Sequence, residues 1–237
     1  SSDILFLATV HGDEGFTVPI LTELEVEFPQ RLRWLIANEV AFERGVRFVD
    51  TDLNRSAPGD PDSAQYEMRR ASELLEIAKQ YRFVIDLHGT TASSGIFALV
   101  PNPTPCNIAL AASLPITNVV IWAAKSSERF GPLTQFINCA VEIECGPKSS
   151  NNIRDELRKI IRAILTEGLN LDPTKTQDWF RVYGEVPKEG LTMREGLQDF
   201  QQATLNEETF YPLLVGQYAD VVCYKMQKVN FWDFFAY

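Results

Sequence analysis

The 237-residue sequence predicts an α/β fold: a mostly parallel mixed sheet flanked by helices, followed by a smaller C-terminal β-rich domain. Three observations carry this expectation. Short continuous apolar runs such as ILFLA (4–8) and FVIDL (83–87) are of the kind a parallel sheet buries on both faces. Stretches with helical spacing of apolar residues alternate with those runs over the first two thirds of the chain. Beyond LNLDPTK (169–175), segments such as RVYGEV and VVCYKMQKV are short, β-prone and separated by Gly, Pro and polar turns.

Taken in order, Ile4 to Thr9 forms the first strand. A helix follows, with Pro19 tolerated in its first turn and Leu21, Leu24 and Phe28 on one face. Leu32 to Ala37 reads as the next strand. Between Asp62 and Gln80, the residues Met68, Ala71, Leu75 and Ala78 fall at helical spacing, with Asp62 or Ser63 as cap. FVIDL (83–87), IFALV (96–100) and NVVIW (118–122) read as strands, and Cys139 to Ile143 as one more. From about Asn152 to Glu167 a helix sets Ile153, Leu157, Ile160, Ile161, Ile164 and Leu165 on one side, and Gly168 stops it. The change of character places a main domain at 1–172 and the β-rich domain at 173–237. No internal repeat or low-complexity stretch interrupts this pattern.

Lys and Arg number 22 against 32 Asp and Glu, a net charge of −10 with a pI near 4.8. Neither nucleic acid nor an anionic membrane is attracted to such a surface. A small anionic substrate would need a local arginine cluster, because screening over about 8 Å at physiological salt lets near charges decide. No run approaches the roughly 18 apolar residues of a membrane span, and no signal-peptide pattern opens these residues. The Ser1-Ser2 start reads as a trimmed or tagged terminus. The cysteines Cys106, Cys139, Cys145 and Cys223 form no C-x-x-C pair and read as buried, reduced thiols of a cytoplasmic protein.

In doubly wound sheets ligands collect at the carboxyl ends of strands. Four polar segments fall at or near such ends: His11 to Glu14, Arg47 to Arg55, Asp86 to Thr90 and Glu142 to Pro147. Both histidines of the chain, His11 and His88, lie among them. H-x-x-E sets an imidazole and a carboxylate one helical turn apart, two of the three protein ligands of a catalytic zinc. His88 offers the third; the plain alternatives are a polar loop and a core histidine at a strand end. Asp50 and Asp52 read either as solvated carboxylates or as groups orienting their neighbours. Arg47 and Arg55 offer the fork that binds a carboxylate, or else form a solvated charge run. Glu142 and Glu144 share one face of their strand, and Glu144, just before Gly146-Pro147, sits nearer its end. A carboxylate there could take a proton from water and pass it to an amine.

HGDE (11–14), RFVDTDLNR (47–55), DLHGT (86–90) and IECGP (143–147), in this order, resemble the aspartoacylase and succinylglutamate desuccinylase family of zinc carboxypeptidase-like hydrolases. FYPLLVG (210–216) resembles its small β-rich domain more loosely. The resemblance implies a zinc-carboxypeptidase-like fold with one Zn2+ per chain held by His11, Glu14 and His88. It implies Glu144 as general base and acid, Arg47 polarising the scissile carbonyl, and Asn54 and Arg55 holding the substrate α-carboxylate. The implied reaction is amide hydrolysis of a small anionic N-acyl amino acid, N-acetylaspartate- or N-succinylglutamate-like, to a carboxylate and a free amino acid. Three positions depart from the family pattern. Gly89 stands where Asn usually follows the histidine. Thr134 replaces the arginine that grips the aspartate side chain, and Arg129 is the nearest arginine upstream. Tyr218 is the nearest counterpart of the C-terminal tyrosine. These departures leave the amino acid open, and the sequence leaves a homo-oligomer open too. Two other readings remain: a zinc carboxypeptidase acting on short peptides, and a non-catalytic metabolite-binding protein, which would have no need of a proton shuttle at Glu144.

Overall fold

The computed structural model of the protein describes residues 3–123, 130–170, 176–188 and 196–234. The chain runs β1 (Ile4–Ala8), α1 (Thr17–Glu27), β2 (Trp34–Ile36), α2 (Glu39–Arg44), α3 (Tyr66–Ala78), β3 (Phe83–Gly89), β4 (Gly95–Val100) and α4 (Pro105–Ser113). It continues with β5 (Asn118–Ile121), β6 (Ala140–Gly146), α5 (Asn151–Glu167), β7 (Asp178–Pro187), β8 (Ala203–Leu205), β9 (Glu208–Leu213) and β10 (Val221–Val229). Among the described residues the strands form one sheet in the order β2-β1-β3-β6-β4-β5-β7-β10-β9-β8. The run β2-β1-β3-β6 is parallel. β4 turns antiparallel to β6, while β5 and β7 again pair in parallel. β10, β9 and β8 close the far edge as antiparallel neighbours. This is the mixed, mostly parallel sheet that the apolar runs predict.

The C-terminal strands extend the main sheet, because β7 pairs with β5 from Asn118↔Asp178 to Ile121↔Arg181. Residues 171–175, where the sequence places a domain boundary, lie outside the described residues.

Strand alternation divides the apolar residues between two layers. Phe6, Ala8, Ile85, Leu87, Val141 and Ile143 face α1, α4 and α5, whose Leu21, Leu24, Ile108, Ala111, Leu157 and Ile161 complete one core cluster. On the other face Leu5, Leu7, Val84 and Ala140 pack with Ala71, Leu74 and Ala78 of α3. Charged side chains at the carboxyl ends of β3 and β6 continue this second face, so α3 covers its base and leaves its top for chemistry.

Two helices have no sequence-based expectation. α4 is apolar nearly all round, NIALAAS, so it lacks the polar face that makes helical periodicity visible. Thr104 caps it, accepting from Asn107 N at 3.2 Å, ahead of Pro105 in its first turn. α2 has only six residues, bounded by the cap Asn38 and by Gly45 at φ 63°. The cap expected at Asp62 or Ser63 is corrected: α3 starts at Tyr66, whose N–H donates to Asp50 Oδ2 at 2.7 Å. A side chain distant in sequence does the work of a local cap.

The cysteine expectation is corrected as well. Cys106 in α4 and Cys139 at the foot of β6 form a disulfide with Cα atoms 5.5 Å apart, while Cys145 and Cys223 are free and buried. A separation of 33 residues hides this pair in the sequence. No described helix is long and apolar enough to cross a membrane. Thiol titration of the unfolded, unreduced protein should therefore count two free thiols. Cys106→Ser should lower the unfolding free energy by about 3–4 kcal/mol, the chain-entropy value for a loop of this size, as measured by urea denaturation.

Candidate active site

β1, β3 and β6 are neighbours in the sheet, and their carboxyl ends bring three of the four polar segments together. After β1 the chain turns sharply, with Thr9 in the left-handed region at φ 57°, so that His11 and Glu14 face β3. Gly12 is required here: a Cβ would collide with the backbone of Ala41, Phe42 and Val46. Its N–H donates to Arg47 O at 3.0 Å, which ties this turn to the second polar segment. In β3 and β6, Asp86 pairs with Glu142 and His88 with Glu144, so all four side chains stand side by side on one face.

Glu14 is the centre of the arrangement. Its Oε1 lies 2.9 Å from His11 Nδ1, and its Oε2 lies 3.3 Å from His88 Nδ1. Gly89 N also donates to Oε2 at 2.9 Å. Each imidazole is held from behind by an aspartate: His11 Nε2 is 3.1 Å from Asp52 Oδ1, and His88 Nε2 is 2.9 Å from Asp86 Oδ2. Both rings therefore turn Nδ1 toward the same point. Donor atoms of His11, Glu14 and His88 lie within 4.8 Å of one another. A tetrahedral ion with bonds near 2.0–2.1 Å sets its donors roughly 3.3 Å apart, so two imidazoles and one carboxylate at these spacings fit a divalent ion. Carboxylate–histidine pairs behind the donors are the usual support of such a site. Asp86, His88 and Glu142 form a second close trio, but Asp86 already occupies His88 Nε2 and Thr134 Oγ1 donates to Glu142 Oε1 at 2.8 Å.

Electrostatics follow from burial and pairing. Burial opposes ionising Glu14, but hydrogen bonds from His11 and His88 outweigh it and hold its carboxyl far below the ordinary value. Asp52 is held low in the same way by His11, with Arg47 and Arg55 adding to the effect. Glu144 has no such hydrogen bond, and burial pushes it up to about 7, opposed by His88 and reinforced by Glu14 and Glu142. Adjacent carboxylates are thus driven apart, as a site needing both a ligand and a proton carrier requires.

The Arg47–Arg55 segment closes one wall. Arg47 Nη2 lies 2.8 Å from His11 Nε2 and 3.3 Å from Asp52 Oδ2. With Nδ1 of His11 turned to Glu14, its Nε2 either donates to Asp52 or accepts from Arg47; a cation at Nδ1 selects the first. Asn54 is buried, with its Oδ1 accepting from Leu133 N at 3.4 Å, and exposed Arg55 donates to Asn54 O at 2.7 Å. Both line the same cavity of about 310 Å3 as His11, Glu14, His88 and Glu144. All seven residues singled out by the sequence therefore border one space. Phe97 and Leu99 stand beside Glu144 and Glu142 across the β4–β6 pairing, and with Trp122, Pro132 and Leu214 they give the cavity an apolar wall that no motif announces. Thr134 is buried beneath Glu142, Tyr218 borders the cavity, and Arg129 lies outside the described residues. At Gly89, a Cβ would sit 2.5 Å from Phe16 Cε1 and 2.9 Å from Lys148 Cβ, so this chain's own packing demands glycine where the family pattern has Asn.

Sequence reasoning placed Asp86 in a polar segment without giving it a role, and missed Gln217. Asp86 was legible in principle, two residues before His88 and so on the same strand face. Gln217 was not: it reaches from the C-terminal region, where its Oε1 accepts from Thr90 Oγ1 at 2.8 Å, Thr91 N at 2.9 Å and Ala92 N at 3.0 Å. Removing either rear carboxylate, Asp52→Ala or Asp86→Ala, should weaken the binding of a divalent ion about 10- to 100-fold in a competition with a chelator, while the same change at solvent-exposed Asp155 should leave it unaltered.

A family model described as the succinylglutamate desuccinylase/aspartoacylase catalytic domain matches residues 1–167. A probable aspartoacylase of Prochlorococcus marinus (strain MIT 9515) is 29% identical over 166 residues, covering 64% of this chain and 56% of that protein. The N-acyl-aromatic-L-amino acid amidohydrolase (carboxylate-forming) of Xenopus laevis is 34% identical over 116 residues, 42% of this chain and 38% of that one. The chain thus matches 56% and 38% of the length of these two curated relatives. Murine aminoacylase 3 shares the fold at a TM-score of 0.75 and 20% identity, over 95% of each chain. Succinylglutamate desuccinylase from Chromobacterium violaceum does so at 0.67 and 19% identity, over 96% of this chain and 84% of that one. With its catalytic-domain signature covering residues 1–167 and its fold shared beyond them, the chain belongs to the succinylglutamate desuccinylase/aspartoacylase family.

Proposed function

We propose that this chain is a zinc-dependent deacylase that hydrolyses the amide bond of a small anionic N-acyl amino acid. The observation that carries the reading is the convergence of His11, Glu14 and His88 beside an uncommitted Glu144 in one cavity. Two imidazoles and a carboxylate suit zinc, and a zinc ion held there supplies the Lewis acidity that makes water nucleophilic near neutral pH.

The chain's own residues do the rest. Glu144, with its carboxyl near 7, takes a proton from the attacking water and delivers it to the departing amine nitrogen. Arg47 faces the scissile carbonyl oxygen, where its positive charge favours the developing anion. Asn54 and Arg55 hold the α-carboxylate, the local cation that an anionic substrate needs on a protein of net charge −10. The apolar wall excludes water from the part of the cavity that it lines. A cavity of about 310 Å3 suits a small molecule better than a peptide segment, which supports deacylation over peptide trimming. N-acetylaspartate and N-succinylglutamate are the substrates to try first, alongside N-acyl amino acids with uncharged side chains. The proposed location is the cytoplasm. One observation stands against it: the Cys106–Cys139 bridge is a kind of bond found mostly in oxidising compartments.

Glu144→Gln should lower kcat by about 10²- to 10⁴-fold, the usual contribution of a general acid–base, with zinc content unchanged by elemental analysis. Near-normal amine release by that variant would remove Glu144 from the mechanism. Dialysis against a chelator should abolish amine release, and one equivalent of zinc per chain should restore it.

A further inference from the structure

We infer that Glu67, which belongs to none of the site's sequence motifs, is the positioning residue that holds the Arg47–Arg55 segment in its working shape; the inference rests on the proposed deacylase reading.

Glu67 sits in the first turn of α3 and is fully buried. Its carboxylate accepts four N–H groups, three of them consecutive along the backbone. Oε1 receives Val49 N at 2.6 Å and Asn38 Nδ2 at 3.3 Å. Oε2 receives Asp50 N at 2.9 Å and Thr51 N at 3.2 Å. The connection is returned: Asp50 Oδ2 accepts from Tyr66 N, the residue before Glu67, at 2.7 Å. A helix carboxylate caps the loop, and a loop carboxylate caps the helix.

The residues so fixed lead directly into the site. Asp52 follows Thr51, holds His11 Nε2 and accepts from Asn54 N at 2.9 Å, which starts the single turn carrying Asn54 and Arg55. On the other side, Val49 is two residues from Arg47, whose carbonyl receives Gly12 N. Orienting three successive amides toward one carboxylate restricts the backbone between the proposed carbonyl-polarising arginine and the proposed carboxylate clamp. Glutamine cannot substitute. Its single acceptor oxygen serves at most one side of this cradle, and its amide N–H groups would face other N–H donors. Asn38, the remaining donor, caps α2 by accepting from Ala41 N at 3.3 Å, so the carboxylate also ties the segment to the helix behind it.

The test uses the full chain loaded with zinc and compares wild type, Glu67→Gln and Glu67→Asp, with Arg47→Ala as a second background. Backbone hydrogen exchange over 47–55 should quicken at least about tenfold in Glu67→Gln, while exchange in β3 and β6 stays unchanged. kcat/KM for an N-acyl amino acid turned over by wild type should fall about 10- to 100-fold, the range for residues that orient a site from behind. Glu67→Asp, which keeps the charge, should recover part of that loss. In the Arg47→Ala background the same substitution should cost less, because one of the groups it positions is already gone. Unchanged exchange over 47–55 would overturn the inference, as would equal losses in both backgrounds with a matching fall in thermal midpoint. If Glu67→Gln does not fold, Glu67→Asp carries the same exchange comparison, and unaltered exchange there would likewise overturn it. A wild type inert toward every N-acyl amino acid would sink the deacylase reading, leaving exchange over 47–55, which does not need turnover, to decide the role of Glu67.

Discussion

A carboxylate held between two imidazoles at the edge of a buried sheet sets the terms for everything around it. Glu14 is almost fully buried, and such a charge is stable only if its oxygens are filled by donors or a cation. His11, His88 and the Gly89 amide meet that demand, and each imidazole in turn needs a partner for its second nitrogen. Asp52 and Asp86 provide it. The chain of requirements runs outward from one oxygen pair to the loop that carries Asp52 and to the strand that carries Asp86.

The sheet makes these demands affordable by alternation. On β3 and β6, odd and even positions belong to different environments: Leu87 and Ile143 enter the core with α1, α4 and α5, while Asp86, His88, Glu142 and Glu144 occupy the opposite face. Along that second face the lining changes from Val84 and Ala140 at the base to the charged pairs at the top. Parallel pairing at this point keeps all the carboxyl ends together, so that one loop after each strand suffices to build the site.

The C-terminal strands take part in this construction. β7 prolongs the same sheet, and the return from β9 to β10 brings Leu214, Gln217 and Tyr218 to the cavity rim. Gln217 holds the loop after His88 through Thr90, Thr91 and Ala92. The apolar wall formed by Phe97, Leu99 and Leu214 belongs to the core cluster that these strands complete. Cavity shape is therefore shared between the catalytic-domain signature and the strands that follow it.

What was legible in the sequence was whatever depends on neighbours along the chain. Apolar runs at β1, β3 and β4 and the one-sided face of α5 reveal themselves because alternation and helical period are local, and the four polar segments stand out because strand ends are where polar residues can remain. α4 and α2 escaped for the same reason, one lacking a polar face and the other being too short to show a period. The Cys106–Cys139 bridge, the Asp50 cap on α3, the cradle of amides on Glu67 and the grip of Gln217 join residues between 16 and 127 positions apart. Residue type alone determined which side chains could bind a cation or move a proton. Which of them meet, at what spacing and with which of their charges suppressed, was decided only when the sheet put β1, β3 and β6 side by side, because hydrogen bonding and burial act over a few ångströms of space whatever the distance along the chain.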